Sequence, residues 1–298
     1  IEVTYKFEGN FPAIYIGCKP PERVNLFEEA LILASEADQV ILIVGTNSDW
    51  ETEGNDRAEF SLPANQDVLI EAILEVNPNT TVVLNTGSPV KMPWIDQANA
   101  VIQTWFAGQE FGNALFDILT GTVNPSGKLA TSFPKNIEDT PAYASYPGKN
   151  LQMNYEEKLL VGYKWYEAKN IQPLFPFGHG LSYTNFEYKD LKVEIRDHCE
   201  VSCKFYVKNT GDFIGAESAQ CYVGYLQKEE DEPIKTLQGF KKINISPNEM
   251  VEMEIVLNSR SFSSWNIEKG DWEIRSGSYQ IMVGSSSNMI LLQEEINL

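Results

Sequence analysis

The sequence predicts an α/β domain with a mostly parallel sheet, followed by an antiparallel β-sandwich. A change in hydrophobic period leads to this class. Up to about Asn185, strand-like and helix-like stretches alternate, as in a parallel sheet built from crossover units. Beyond it, seven short alternating runs are separated by Gly, Asn, Pro or Ser. At ~150 residues per domain, 298 residues leave room for about two domains. An apolar fraction of 43%, with 11% aromatic residues, is enough to bury a sizeable core and excludes a disordered chain.

Residues 1–21 alternate like a strand and stop at Pro20-Pro21, so they read as the end of a preceding β-rich module. Val24, Phe27, Leu31 and Ala34 then fall three and four apart, which predicts an amphipathic helix over about Glu22 to Asp38. Gln39–Gly45 is a continuous apolar run suited to a parallel strand buried on both faces. Leu69, Ile70, Ile73 and Leu74 mark one face of a helix over about Ala64 to Val76. Thr80–Gly87 and Ala100–Phe106 read as further strands, and Glu110–Gly121 as a helix. Tyr163, Trp165 and Tyr166 are read at strand spacing, as packing residues. The predicted units are therefore 1–21, an α/β domain over 22–185 and a sandwich over 186–298.

Charge narrows the function. Lys plus Arg is 23 and Asp plus Glu is 42, a net charge of −19 shared by both halves. Such a chain repels phosphate backbones and anionic membrane surfaces, which argues against nucleic-acid or membrane partners. No apolar run approaches the roughly 20 residues of a spanning helix. The four cysteines, Cys18, Cys199, Cys203 and Cys221, form no CxxC pair, and the two histidines are His179 and His198. Neither a metal nor an organic cofactor is expected from such a set. Sparse cysteines suit a reducing, cytoplasmic compartment without excluding secretion.

In an open α/β domain, chemistry gathers on loops past the carboxyl ends of strands, here the loop after Gly45. Gly45–Phe60 places Asp49, Glu51, Glu53 and Asp56 around Trp50, with Arg57 nearby. Crowded carboxylates favour protonation of at least one of them, the state a general acid needs. Trp50 could shield that carboxyl or stack on a sugar ring. A solvated acidic loop is the competing reading.

Six blocks in order carry a resemblance: WETEGNDR, SLPANQDVLIEAI, VVLNTGSPVKMPW, AVIQTWFAGQEFGNALFDILTGTVNPSGKLATSFP, YEEKLLVGYKWYE and FPFGHGLSYTNFEY. They resemble the carboxyl-terminal half of family-three glycoside hydrolases, the β-glucosidase family. Asn209–Tyr225 is similar to the fibronectin type III-like domain that ends many members, and residues 1–21 to the end of a PA14-type module.

The resemblance implies a retaining β-glucosidase that releases terminal β-D-glucose from oligosaccharides or aryl glucosides. Its nucleophilic Asp would lie on a (β/α)₈ barrel outside this chain, and the full enzyme could be a homo-oligomer. The family pattern, Glu-Gly-x-Asp-Arg, places the general acid/base at Glu53, with Glu51 as rival two residues earlier. Asp49-Trp50 mimics the dipeptide of the barrel nucleophile but lies on the wrong domain. Asp56 and Arg57 are expected to hold the loop as an ion pair, Glu110 to favour a helix start and His179 to pack in a turn. A β-xylosidase or other exo-glycosidase, and a non-catalytic carbohydrate-binding or scaffold fragment, stay open as alternatives.

Overall fold

The computed structural model describes residues 25–54 and 56–298. The expectations for residues 1–21, Val24 and Cys18 lie outside the described residues. Helix α1 (Leu26–Glu36) starts at Asn25, whose side chain accepts from Glu28 N, and carries Glu28 and Glu29 in its first turn, where negative charge suits the helix dipole.

Strands β1 (Val40–Gly45), β2 (Thr80–Asn85) and β3 (Ala100–Gln103) form a parallel sheet in the order β1-β2-β3. Val40 pairs with Thr80, Gly45 with Asn85 and Thr81 with Ala100, so all carboxyl ends meet at one edge. Helix α2 (Gln66–Val76) connects β1 to β2 and buries Ile70, Ile73 and Leu74. Ile70 and Leu74 join Val44, Val82, Leu84 and Phe133 in the core of this half. Trp94 is fully buried there, its indole N–H donating to Asp67 Oδ1 at 2.8 Å. Helix α3 (Phe111–Leu119) follows Glu110, which is not a side-chain cap; its carboxylate instead accepts from Asn113 at 2.6 Å.

Two expectations need correction. Among the described residues β1 is an edge strand, and Ile41 and Ile43 are 49% and 52% exposed; the strand buried along its length is β2. A continuous apolar run marks a strand that could be buried on both faces, but it does not fix the strand's place in the sheet order. Tyr163, Trp165 and Tyr166 lie not on a strand but on a short helix, α4 (Tyr163–Ala168), led in by Gly162. Their packing role stands: Tyr163 stacks on Phe177 at 4.8 Å, Tyr166 is buried and Trp165 donates to the Asp139 carbonyl. His179 stacks on Phe175 at 5.2 Å, and burial, aided by Lys128, lowers its imidazole pKa.

The second half is a two-sheet sandwich. One sheet holds β4 (Phe186–Ile195), β5 (Val201–Asn209) and β8 (Met250–Leu257) in the order β4-β5-β8. The other holds β6 (Gly215–Tyr225), β7 (Thr236–Ile245), β11 (Ser278–Gly284) and β12 (Ile290–Asn297) in the order β12-β11-β6-β7. Their inner faces meet at Cys203, Phe205, Cys221, Ile245, Met253 and Ile281, all fully buried. Period-two alternation is plain in β5, whose residues from Phe205 to Asn209 alternate between buried and half-buried. A hairpin of β9 (Ser263–Asn266) and β10 (Asp271–Ile274) adds a pair that the sequence runs did not mark, with Trp265 opposite Trp272.

The halves are joined by buried polar contacts. Lys235 Nζ lies 2.6 Å from Glu167 Oε1, both side chains 10% exposed. Leu237 N donates to the Tyr163 hydroxyl at 2.8 Å, and Gln220 Nε2 to the Gly178 carbonyl at 3.1 Å.

Candidate active site

The carboxyl edge of the parallel sheet is where the predicted loop emerges. Strand β1 ends where the Gln66 side-chain amide brackets Gly45, accepting from its N–H at 2.8 Å and donating to its carbonyl at 2.9 Å. Thr46 N then takes the Asn85 carbonyl at 3.1 Å. The chain turns at Asn47, whose carbonyl accepts from Trp50 N and Glu51 N and whose side chain accepts from Asp49 N.

This turn points Glu51 inward. Its Oε1 accepts from Thr46 Oγ1 at 2.5 Å and from Gly87 N at 3.1 Å, and its Oε2 from Ser88 Oγ at 3.0 Å. Gly87 must be glycine for this approach, because a Cβ there would stand 2.7 Å from Glu51 Oε2 and 2.7 Å from the Phe106 ring. Arg57 closes the same cluster: it donates to Ser88 Oγ at 2.9 Å and to the Pro89 carbonyl at 2.8 Å, and lies 3.9 Å from Glu51 Oε1. Burial lowers the Arg57 pKa, and the Glu51 charge opposes that shift. A carboxylate this saturated is an anchor tying the loop to the segment after β2.

Glu53 is placed differently. It is exposed at the apex of the loop, and among the described residues it has no hydrogen-bond or ion-pair partner. Gly54 follows at φ 83°, a left-handed conformation that glycine adopts without a steric cost and that turns the chain directly after Glu53. Among the described residues, nothing in the loop occupies this carboxyl.

The other loop residues divide. Asp49 is exposed, and Trp50 is half-buried with its indole N–H buried and without an acceptor among the described residues. Asp56 and Arg57 do not form the expected ion pair: Arg57 reaches across to Ser88 and Pro89, and Asp56 accepts instead from the Tyr146 hydroxyl at 2.6 Å. That bond pushes the Tyr146 phenol pKa up. A cleft of about 270 Å³ opens beside Arg57, lined by Phe60, Ser88, Thr131 and Tyr166 among others.

Sequence reasoning missed Thr46, Gly87 and Ser88 as partners of Glu51, and Tyr146 as the partner of Asp56. A Gly-Ser pair directly after a strand, at the edge where the loop emerges, was the available sign for Gly87 and Ser88. Tyr146 is 90 residues from Asp56 and carried none.

Known proteins resemble this chain in sequence and in fold. Residues 11–183 match the glycosyl hydrolase family 3 C-terminal domain, and residues 217–287 a fibronectin type III-like domain. The thermostable beta-glucosidase B of Acetivibrio thermocellus is 42% identical over 277 residues, covering 92% of this chain and 37% of that protein. The probable beta-glucosidase I of Emericella nidulans is 42% identical over 82% of this chain and 30% of its own length. The crystal structure of the Kluyveromyces marxianus beta-glucosidase in complex with glucose superposes with a TM-score of 0.87 at 39% identity, covering 94% of this chain and 34% of that one. The chain thus spans about a third of the length of these relatives. On this match the chain belongs to the glycosyl hydrolase family 3 C-terminal domain family, with a fibronectin type III-like domain in its second half.

Proposed function

We propose that this chain is the part of a retaining β-glucosidase that carries the general acid/base, and that Glu53 is that residue. The observation carrying the assignment is the contrast between two neighbouring carboxylates. Glu51 is committed to Thr46, Gly87 and Ser88, whereas Glu53, at the apex of a loop on the carboxyl edge of the sheet, is unengaged by any of the described residues. The names of the relatives support glucose over xylose as the sugar released. The third of their length that this chain spans leaves room for a barrel of ~250 residues to bring the nucleophile.

In this reading a barrel Asp attacks the anomeric carbon while Glu53 gives its proton to the departing glycosidic oxygen. Water then enters, Glu53 takes its proton, and the resulting hydroxide displaces the sugar from the Asp, leaving Glu53 protonated again. Retention requires the two carboxyl groups to stand about 5–5.5 Å apart across the sugar. The α/β domain over 22–185 would present Glu53, and the sandwich over 186–298 would brace that domain through Glu167–Lys235 and Tyr163.

The test is Glu53→Ala in the complete enzyme. Hydrolysis of alkyl glucosides and cellobiose should fall by about 10²–10⁴-fold, since their leaving groups need the proton. Dinitrophenyl glucoside should be largely spared in kcat/KM while its kcat falls with the slowed second step, and azide should restore that turnover with glucosyl azide as product. Equal losses on all substrates without azide rescue would overturn the assignment.

A further inference from the structure

Among the described residues, few side chains hold the apex that presents Glu53. On its incoming side Glu51 is clamped to Thr46, Gly87 and Ser88, and on its outgoing side Arg57 is clamped to Ser88 and Pro89. Between these clamps, Gly54 turns the chain in a left-handed conformation directly after Glu53. Among the described residues from Thr52 to Asp56, the only hydrogen-bonded side chain is Asp56, and its partner is the Tyr146 hydroxyl at 2.6 Å.

Tyr146 is itself presented by an ordered turn. Its N–H donates to the Ala142 carbonyl at 2.8 Å. The chain then reverses at Gly148 and is closed by reciprocal bonds of 2.8 and 3.0 Å between the backbones of Lys149 and Gln152. The phenol therefore fixes the apex from a second loop, about 90 residues on in the chain.

We infer that Tyr146 is a positioning residue for the acid/base: through Asp56 it sets where the Glu53 carboxyl stands. The inference rests on the assignment of Glu53 above. A general acid works only within about 2.6–3.2 Å of the oxygen it protonates, and a misplacement of ~1 Å can cost ~10²-fold. That demand is steep for poor leaving groups and slight for good ones, so loss of the tether has a signature of its own.

The experiment measures kcat/KM of the complete enzyme across glucosides of graded leaving-group pKa, for Tyr146→Phe, Glu53→Ala and the double variant. Tyr146→Phe should lower kcat/KM on alkyl glucosides by about 10-fold or more and on dinitrophenyl glucoside by less than about 2-fold, steepening the dependence on leaving group. In the Glu53→Ala background the same change should add almost nothing. Asp56→Ala should reproduce the effect, while Asp56→Asn, whose amide oxygen still accepts from the phenol, should restore most of it; this pair serves equally if Tyr146→Phe folds poorly. A uniform loss across the series, an unchanged slope, or an undiminished loss without Glu53 would overturn the inference. Absence of azide rescue in Glu53→Ala would overturn both the assignment and the inference; rescue alongside an unchanged slope in Tyr146→Phe overturns the tether alone.

Discussion

Replacing Glu51 by alanine separates an anchor from an acid. The change removes an acceptor that serves Thr46 Oγ1, Gly87 N and Ser88 Oγ and takes the neighbouring charge from half-buried Arg57. A hydrogen bond to a charged group contributes about 1.5–3 kcal/mol, so three independent ones would exceed about 4 kcal/mol. They share one carboxylate, however, and its side chain is 16% exposed, so water can enter the vacated space. The expected loss is about 3 kcal/mol. For a domain of this size that corresponds to a fall of about 6–12 °C in the melting temperature of the transition involving the α/β half. Near-ultraviolet circular dichroism of the complete enzyme on heating reads this directly. Glu53→Ala, at an exposed position without partners among the described residues, should stay within about 0.5 kcal/mol of wild type. If Glu51→Ala melts like wild type yet shows azide-rescued loss on poor leaving groups, while Glu53→Ala does not, the saturation argument is refuted and the roles are reversed.

Two further predictions concern what holds the halves together. Glu167 and Lys235 form a buried pair, and burial outweighs the Lys235 charge to raise the Glu167 carboxyl pKa. Glu167→Gln alone should destabilise by about 3 kcal/mol by stranding the ammonium, and Glu167→Gln with Lys235→Met should recover at least half of that; a double variant as weak as the single would sink the account. Asn209 is fully buried and donates to the Phe213 and Ile245 carbonyls while accepting from Thr184 Oγ1 and Gly211 N. Asn209→Ala should cost about 2–4 kcal/mol, read as an earlier melting of the sandwich, because it leaves buried groups unpaired; an unchanged transition would mean that water replaces the amide.

Much of the architecture was legible because burial imposes a period on the sequence. Ile70, Ile73 and Leu74 reported one face of α2, and the alternation in Val201–Asn209 reported one face of β5, since each needs only neighbours on its own element. The hairpin of β9 and β10 escaped this signal: its strands are four residues each, too short to show a period, and Trp265 and Trp272 face each other with much of their surface exposed. Helix α4 escaped for a related reason, because three aromatic residues within four positions fit a short helix as well as a strand.

By itself the sequence determined the order and type of most elements, the place of a polar loop after the first strand of the sheet, and the short set of carboxylates that the loop carries. These are local matters, written in spacing and residue type. Only the tertiary structure tied Glu51 to Thr46, Gly87 and Ser88, put β1 at an edge of the sheet among the described residues, redirected Arg57 from Asp56 to Ser88 and Pro89, and brought Tyr146 to Asp56. Each of those outcomes depends on which distant group lies within about 3 Å of a side chain. That is a property of how strands and loops assemble in space, and no neighbour along the chain carries it.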